Sequence, residues 1–166
     1  MTSPFSELLA GLYDNRIVPY LGPGALFDAK NQQTGQPMPA DSHSLILAMN
    51  NGQPMAPKLM YEFPRAAMNV ELKRGRSAVN KFLDATYRDT QWSASPLHAW
   101  LAQQKLPCIV DCNRDTQLQL QYATTPHTLI TGIARVSGTG FRFKLFQYDG
   151  TAYAPVEQEA VDTTLP

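Results

Sequence analysis

The chain has 166 residues, of which 43% are hydrophobic, so it is long enough to bury one core and a single domain over residues 1–166 is expected. Fourteen Lys and Arg residues balance fourteen Asp and Glu residues, which argues against nucleic acid or an anionic membrane surface as a partner. No apolar run approaches the ~18 residues of a membrane span, and the N-terminal residues lack a signal-peptide pattern. We expect a cytoplasmic protein with a small-molecule or protein partner.

The chain begins with a predicted helix, a strand and a glycine turn. Ser3-Pro4 indicates a helix start, and an apolar stripe continues to about Asn15. Ile17–Leu21 is predicted to be a buried strand, and it leads directly into the glycine turn, Gly22–Ala25. Glycines here let a pyrophosphate approach backbone N–H groups, although such pairs are often plain tight turns. The polar stretch 27–41 that follows is long enough to be a covering loop or a disordered one.

A helical insert is predicted over about residues 42–105. Helices are expected at Ser42–Met49, from about Arg65 to Leu72, from Arg76 to Tyr87, and from Pro96 to Gln103. Ser95 is expected to cap the last of these helices. His98 lies on that helix and is expected to contribute to packing or to face solvent.

A second strand is predicted at Leu106–Cys112, followed by the polar residues Asn113 to Asp115 and a helix from Thr116 to about Ala123. A third strand, Thr128–Ala134, would complete a β-α-β arrangement. The fold class is therefore predicted as α/β, with a Rossmann-like parallel sheet. Polar side chains at the carboxyl end of a buried parallel strand lie where open α/β sheets bind ligands. Asn113 and Asp115 have an alternative role as caps of the following helix.

The two cysteines lie in the second predicted strand. Four residues of rise separate Cys108 from Cys112 by roughly 13 Å, which is beyond disulfide reach. We expect both to be reduced core residues. No further Cys or His lies at metal-ligand spacing, so the sequence predicts no metal site.

A C-terminal β-hairpin is predicted over about residues 141–156. Phe141–Tyr148 and Thr151–Val156 are its strands, and Asp149-Gly150 favours a tight turn. The aromatic strand Phe141–Tyr148 is a candidate sheet edge for a protein partner or for another copy of the chain.

Three motifs resemble those of the sirtuin-like NAD-binding domain, in the same order, between Ile17 and about Gly132. Gly22-Pro23-Gly24-Ala25 resembles the turn that holds the NAD pyrophosphate. Gly35-Gln36-Pro37 resembles the Gly-x-Pro of the loop over the nicotinamide ribose. Asn113-Arg114-Asp115 matches the Asn-x-Asp whose Asn contacts ribose and helps to position water. Ser95–Leu101 is similar to the helix before the second nucleotide strand, and the nearest likeness is to bacterial sirtuin-like proteins without a zinc ribbon.

The resemblance implies NAD or ADP-ribose as the ligand. The implied binding residues are Gly22, Pro23, Gly24, Ala25, Gly35, Pro37, Asn113 and Asp115. The family's catalytic His-Gly pair has no counterpart in this sequence. Alignment by spacing puts Thr131-Gly132 at the position of the pair, and alignment by the local sequence pattern puts Phe146-Gln147 there. A third alternative is that the equivalent strand lies beyond Pro166. His127 is the histidine expected nearest Asn113, and its alternative role is a hydrogen bond to a loop carbonyl.

These observations leave three hypotheses. The first is a degenerate sirtuin-like protein that binds NAD or ADP-ribose, lacks deacylase activity and has an accessory or regulatory role. The second is an NAD glycohydrolase in which Asn113, assisted by Asp115 or His127, positions water. The third is a non-catalytic scaffold whose helical insert and hairpin bind a protein.

Overall fold

A computed structural model describes residues 3–132 and 142–162, and this part of the chain forms a mixed α/β structure. Its helices are α1 (Pro4–Tyr13), α2 (Ser42–Met49), α3 (Phe63–Arg74), α4 (Arg76–Leu83), α5 (Pro96–Gln103) and α6 (Gln117–Gln121). Its strands are β1 (Tyr20–Leu21), β2 (Val110–Asp111), β3 (His127–Gly132), β4 (Phe143–Tyr148) and β5 (Tyr153–Val156). Ile133, Ala134 and Phe141, which belong to predicted strands, lie outside the described residues.

The chain divides into two compact units. The helical unit consists of Tyr20–Ala99 and Val110–Gln117, and the hairpin unit consists of Met1–Pro19, Trp100–Ile109 and Leu118–Pro166. The assignment of the whole chain to one sirtuin-like domain stays a prediction.

The core of the helical unit lies among α2, α3 and α4. The carboxylate of Asp41 accepts hydrogen bonds from the His43 and Ser44 amides at 2.8 and 3.0 Å, and so caps α2. Gly75, at φ 83°, ends α3 in a conformation that favours glycine. The buried side chains in this core are Leu45, Ile46, Met49, Met60, Phe63, Ala66, Ala67, Val70 and Val79. Each large aliphatic side chain buried there stabilises the fold by about 1.5–3 kcal/mol.

The predicted helices of the insert are confirmed, with small changes at their ends. The helices predicted at Ser42–Met49 and Pro96–Gln103 have those bounds in the structure. The helix predicted from Arg76 to Tyr87 ends as α4 at Leu83 and continues in a π-helical turn, Asp84–Arg88. The stretch 27–41 is a folded loop. Lys30 and Pro37 form an antiparallel β-bridge in it, and the side chains of Ala29 and Met38 are buried.

Strands β1 and β2 pair in parallel, with Tyr20 opposite Val110 and Leu21 opposite Asp111. The prediction of longer buried strands at Ile17–Leu21 and Leu106–Cys112 is wrong. The Ile17 amide donates to the Gly11 carbonyl at 3.1 Å, which ties it to the end of α1. Tyr20 is 73% exposed whereas Leu21 is buried, so one face of this sheet, two-stranded in the described residues, is covered and the other faces solvent.

The third predicted strand does not complete a parallel β-α-β arrangement. Strand β3 pairs antiparallel with β4, with His127 opposite Tyr148, in a sheet of order β3-β4-β5. Six residue pairs join β3 to β4 along the full length of β3, so β3 forms a sheet with the hairpin. The prediction that the aromatic strand forms a sheet edge is therefore wrong, because β4 is the central strand.

The predicted C-terminal hairpin is confirmed, but its turn is longer than expected. Strands β4 and β5 pair antiparallel, and residues 149–152 form the connection between Tyr148 and Tyr153. The Asp149 carboxylate accepts hydrogen bonds from the Thr151 amide, the Thr151 hydroxyl and the Ala152 amide at 2.7, 2.7 and 2.9 Å. These bonds favour a four-residue loop over a two-residue Asp-Gly turn.

Candidate functional site

Two of the candidate binding residues of the helical unit, Asn113 and Gly22, meet where β1 and β2 end. The Asn113 side-chain amide donates to the Gly22 carbonyl at 3.1 Å and to Asp111 Oδ1 at 2.8 Å. The Cys112 amide donates to the Leu21 carbonyl at 3.1 Å, which extends the pairing beyond the strands. Two motifs that lie 91 residues apart in the sequence are thus joined by a hydrogen bond. The alternative of Asn113 as a helix cap is wrong, because α6 begins four residues later at Gln117, whose amide bonds to Asp115 instead.

The glycine turn continues as a 3₁₀ turn at Pro23–Leu26. Gly22 has φ −113°, which any residue can adopt. A Cβ built on Gly22 or on Gly24 would have no atom within 4 Å. Neither backbone conformation nor packing therefore requires glycine at these two positions. The space beside both Cα atoms is open to an approaching ligand group.

Ser95 fixes the far end of the glycine turn. Its hydroxyl donates to the Ala25 carbonyl at 2.6 Å, and its side chain is 1% exposed. The Ser95 carbonyl accepts from the Ala99 amide at 3.1 Å at the start of α5. The hydroxyl, predicted to cap this helix, thus holds the glycine turn against the start of α5.

A cleft of about 680 Å³ lies beside the glycine turn within the helical unit. Gly24 lines it together with Gln36 and Pro37, which follow Gly35 in the motif that resembles the family's Gly-x-Pro loop. Most of the remaining lining is apolar and includes Trp92. The cleft thus brings two of the three sequence motifs to one surface.

Asp41 contributes a negative charge to this cleft. Burial raises the pKa of its carboxyl, but hydrogen bonds from the Ser44 hydroxyl and from the Ser44 and His43 amides outweigh burial and lower the pKa below its ordinary value. The group is therefore ionised at neutral pH. A phosphate is disfavoured beside it, whereas a neutral or cationic ring is not.

Asp115, two residues after Asn113, is buried. Its Oδ1 accepts a hydrogen bond from the Gln117 amide at 2.8 Å, so its predicted role as a cap of the following helix is confirmed. Its Oδ2 is buried and has no hydrogen-bond partner among the described residues. Burial raises the pKa of this carboxyl, as does the charge of Asp111, whereas the charge of His98 lowers it; the net direction is upward.

His98, which the sequence analysis left as a packing or surface residue, is fully buried. Both ring nitrogens lack a hydrogen-bond partner within the described residues. The sequence carries one signal of this burial, because His98 and the buried Leu101 are three residues apart and share a face of α5.

His127 lies in the hairpin unit, where its predicted hydrogen bond to a loop carbonyl is confirmed. Nδ1 lies 2.8 Å from the Thr125 carbonyl and Nε2 lies 2.7 Å from the Tyr153 hydroxyl. Because a carbonyl can only accept, Nδ1 carries the proton and Nε2 accepts from Tyr153. The ring also packs against Tyr122 and Tyr148. A catalytic role for His127 beside Asn113 stays a prediction.

Cys108 and Cys112 are free and exposed, so their prediction as core residues is wrong. The two-residue strand β2 is too short to bury them. The Cys112 thiol donates to the Leu21 carbonyl at 2.9 Å. It also hydrogen-bonds to the Tyr20 hydroxyl, which raises the pKa of Tyr20 above its ordinary value.

No protein-family model, curated protein or solved structure matches the chain. Across residues 3–132 and 142–162, no group of three His, Cys, Asp or Glu side chains could hold a metal ion. Among the helices described above, none has the length and apolar character needed to cross a membrane.

Proposed function

We propose that the chain is a sirtuin-like protein that binds NAD or ADP-ribose in a Rossmann-like arrangement at the carboxyl ends of β1 and β2. Its role would be accessory or regulatory, without deacylase chemistry. The observation that carries the proposal is the 3.1 Å hydrogen bond between the Asn113 side chain and the Gly22 carbonyl. It joins the two motifs implied to hold ribose and pyrophosphate, at the sheet edge where α/β proteins bind nucleotides.

The open glycine turn supports a pyrophosphate at Gly22 and Gly24. Neither glycine is required by φ or by packing, so a ligand that must approach the backbone closely would explain their presence. The ionised Asp41 would repel phosphate from the cleft. We therefore assign the phosphates to the glycine turn and a planar ring to the apolar cleft.

The histidines of the helical unit support binding without deacylase chemistry. All residues of this unit are described, and its histidines are His43 and His98. His98 is fully buried, so it cannot contact a substrate directly, and His43 is an exposed residue in the first turn of α2. An NAD glycohydrolase would need Asn113 to position water without a histidine from this unit.

The test is calorimetric titration of the full chain with NAD and with ADP-ribose, followed by chromatography for released nicotinamide. Gly24→Ala is the informative variant, because its new methyl group meets no protein atom and would occupy only ligand space. We expect it to raise the Kd by about tenfold or more, since the phosphates lose charge-assisted hydrogen bonds to the turn. Gly132→Ala, also at an open glycine but in β3, is the matched control and should bind like the wild type.

The outcomes separate the three hypotheses. Binding without nicotinamide release supports the degenerate binder. Binding with release, abolished by Asn113→Ala, supports the glycohydrolase instead. Absence of heat and of thermal protection at millimolar ligand contradicts both and favours the protein-binding scaffold.

A further inference from the structure

We infer that the cleft beside the glycine turn is a site for a quaternary nitrogen cation, with Asp41 supplying the complementary charge and Phe27 and Trp92 supplying aromatic surface. Two kinds of ligand carry such a nitrogen: a pyridinium ring, as in NAD, and a methylated ammonium group, as in choline. The lining of the cleft alone carries this assignment, and only the choice of the pyridinium ring rests on the proposed function.

The cleft carries a negative charge that its lining does not balance. Asp41 belongs to the lining, and none of the described residues that line the cleft is Lys, Arg or His. Among the described residues, the salt bridges are made by other carboxylates and leave Asp41 without a basic partner. An aspartate is ionised at neutral pH. A cation is therefore the ligand whose charge complements this cleft.

The Asp41 carboxylate has little capacity left for a ligand that donates hydrogen bonds. Its Oδ1 accepts from the His43 and Ser44 amides at 2.8 and 3.0 Å, and its Oδ2 accepts from the Ser44 hydroxyl at 2.7 Å. A carboxylate offers about four lone-pair sites, so about one remains, whereas a primary ammonium group has three N–H donors. Such an ammonium would have to keep part of its hydration shell in a mostly apolar cleft, which weakens binding. A quaternary nitrogen has no N–H and needs only the field of the carboxylate.

The rest of the cleft suits the carbon shell of such a cation. Its volume is about 680 Å³, and most of its lining is apolar. Phe27 and Trp92 bring aromatic rings to this lining, and the faces of aromatic rings attract cations. Phe27 is 83% exposed, so packing in the core does not account for a ring at this position. The Trp92 indole N–H donates to the Thr86 carbonyl at 2.7 Å, which fixes the orientation of the second ring.

The first experiment compares matched cationic and uncharged ligands by NMR titration of the full chain. Choline is paired with dimethylbutanol, in which carbon replaces the quaternary nitrogen, and nicotinamide methylated on its ring nitrogen is paired with nicotinamide. The readout is the indole N–H of Trp92, and the indole N–H of Trp100, which does not line the cleft, is the internal control. We expect at least one cation to shift the Trp92 signal and to bind about fivefold more tightly than its uncharged counterpart.

The two ligand pairs also distinguish the source of the cation. A charge preference in the choline pair alone supports a site for methylated ammonium, and a preference in the nicotinamide pair alone supports a site for pyridinium. Uncharged counterparts that bind as tightly as both cations would overturn the assignment. So would a Trp92 signal that neither cation shifts at ~50 mM, because ligands of this size bind measurably at such concentrations when a site exists.

The second experiment removes the charge and one ring separately. Asp41→Asn keeps a side-chain oxygen that can cap α2 but loses the charge, and Asn caps helices as well as Asp does. It should bind the preferred cation about fivefold more weakly and the uncharged counterpart equally well. Asp14→Asn, which removes an exposed charge from the hairpin unit, is the matched control and should bind both like the wild type.

Phe27→Leu keeps an apolar side chain at an exposed position and should lose about threefold in affinity for the cation alone. Wild-type affinity for the cation in a folded Asp41→Asn protein would overturn the role of Asp41. If that variant is unfolded, Phe27→Leu decides: a loss confined to the cation supports the site, and equal effects on both members of the ligand pair overturn it.

Failure of the cation site and failure of the proposed function are distinguishable. Cation binding that depends on Asp41, in a protein that binds neither NAD nor ADP-ribose, supports the cation site and rejects the proposed function. Equal binding of NAD, NADH and ADP-ribose without any preference for a cation rejects the cation site alone. If the pyridinium ring occupies the cleft, NAD should bind more tightly than NADH, whose ring is uncharged, and Asp41→Asn should remove this difference.

Discussion

Replacing Ser95 with Ala should destabilise the helical unit through one buried hydrogen bond. The Ser95 hydroxyl donates to the Ala25 carbonyl at 2.6 Å, and the two residues are 1% and 7% exposed. Water cannot readily replace the lost donor, so the carbonyl stays unsatisfied at a cost of about 1–3 kcal/mol. Since urea slopes for proteins of this size are ~1–3 kcal/mol per molar, the unfolding midpoint should fall by about 1 M.

Ser93→Ala is the matched control for this measurement. Its hydroxyl accepts a hydrogen bond from the Lys30 amide at 3.0 Å in an exposed position, where water can take its place. Its free energy of unfolding should therefore change by less than about 0.5 kcal/mol. Both variants are followed by tryptophan fluorescence in urea, with amide exchange at Ala25 as a local readout. Equal midpoints for Ser95→Ala and Ser93→Ala would refute the assignment of a buried, structurally important bond.

Three further predictions concern other parts of the chain. Burial raises the pKa of Tyr87 to about 12, and its protonated hydroxyl donates to the Pro39 carbonyl at 2.9 Å. The contribution of Tyr87 to the free energy of unfolding should therefore be complete below pH 10 and lost as pH rises through about 12. Urea unfolding of Tyr87→Phe across this pH range should not show that loss of stability. Hydrogen bonds from the Thr151 hydroxyl and the Ala152 and Thr151 amides lower the pKa of Asp149 to about 2, so its carboxyl carbon should titrate there by NMR and the hairpin loop should loosen only as pH falls through that value. A Cβ on Gly11 would lie 2.8 Å from Ile17 Cγ1, so the Ile17 side chain would crowd an alanine at position 11. Alanine favours the helix more than glycine does, and Gly11→Ala should therefore be more favourable for stability in an Ile17→Ala background than in the wild type. A double-mutant cycle measures the difference.

Each of these predictions has a result that contradicts it. The first fails if Tyr87→Phe and the wild type lose the same stability between pH 10 and 12. An Asp149 carbon that titrates at its ordinary value near 4 would mean that the loop bonds do not form in solution. Equal effects of Gly11→Ala in the two backgrounds would mean that Ile17 does not pack on the helix.

The helices were predictable from the sequence because their signals are local. Pro96–Gln103 begins at a proline that suits the first turn of a helix, and its bounds agree with the structure. The lengths of β1 and β2 and the pairing of β3 were not predictable, because they depend on partners far away in the chain. Leu21 finds Asp111 only through the folded helical unit, and β3 finds β4 across residues that no local pattern describes.

The candidate site was predictable only in part, because some of its signals are local in sequence and others depend on tertiary packing. Polar residues after a strand placed Asn113 at the sheet edge, and the structure puts it against Gly22 there. The complete burial of His98 was missed, since burial is a property of tertiary packing. Tertiary packing also moved Ser95 from a helix cap to a bond with Ala25.

The sheet of the hairpin unit has two outer strands with different capacity for self-association. Strand β5 contains Pro155, which has no amide hydrogen and is tolerated in sheets at outer edges. Strand β3 contains no proline, and Ile130 on it is 61% exposed. Among the described residues, β3 is therefore the outer strand that offers an unbroken row of backbone amides to an added strand. Growth of the sheet from both edges is disfavoured, because Pro155 interrupts the row of amides along β5.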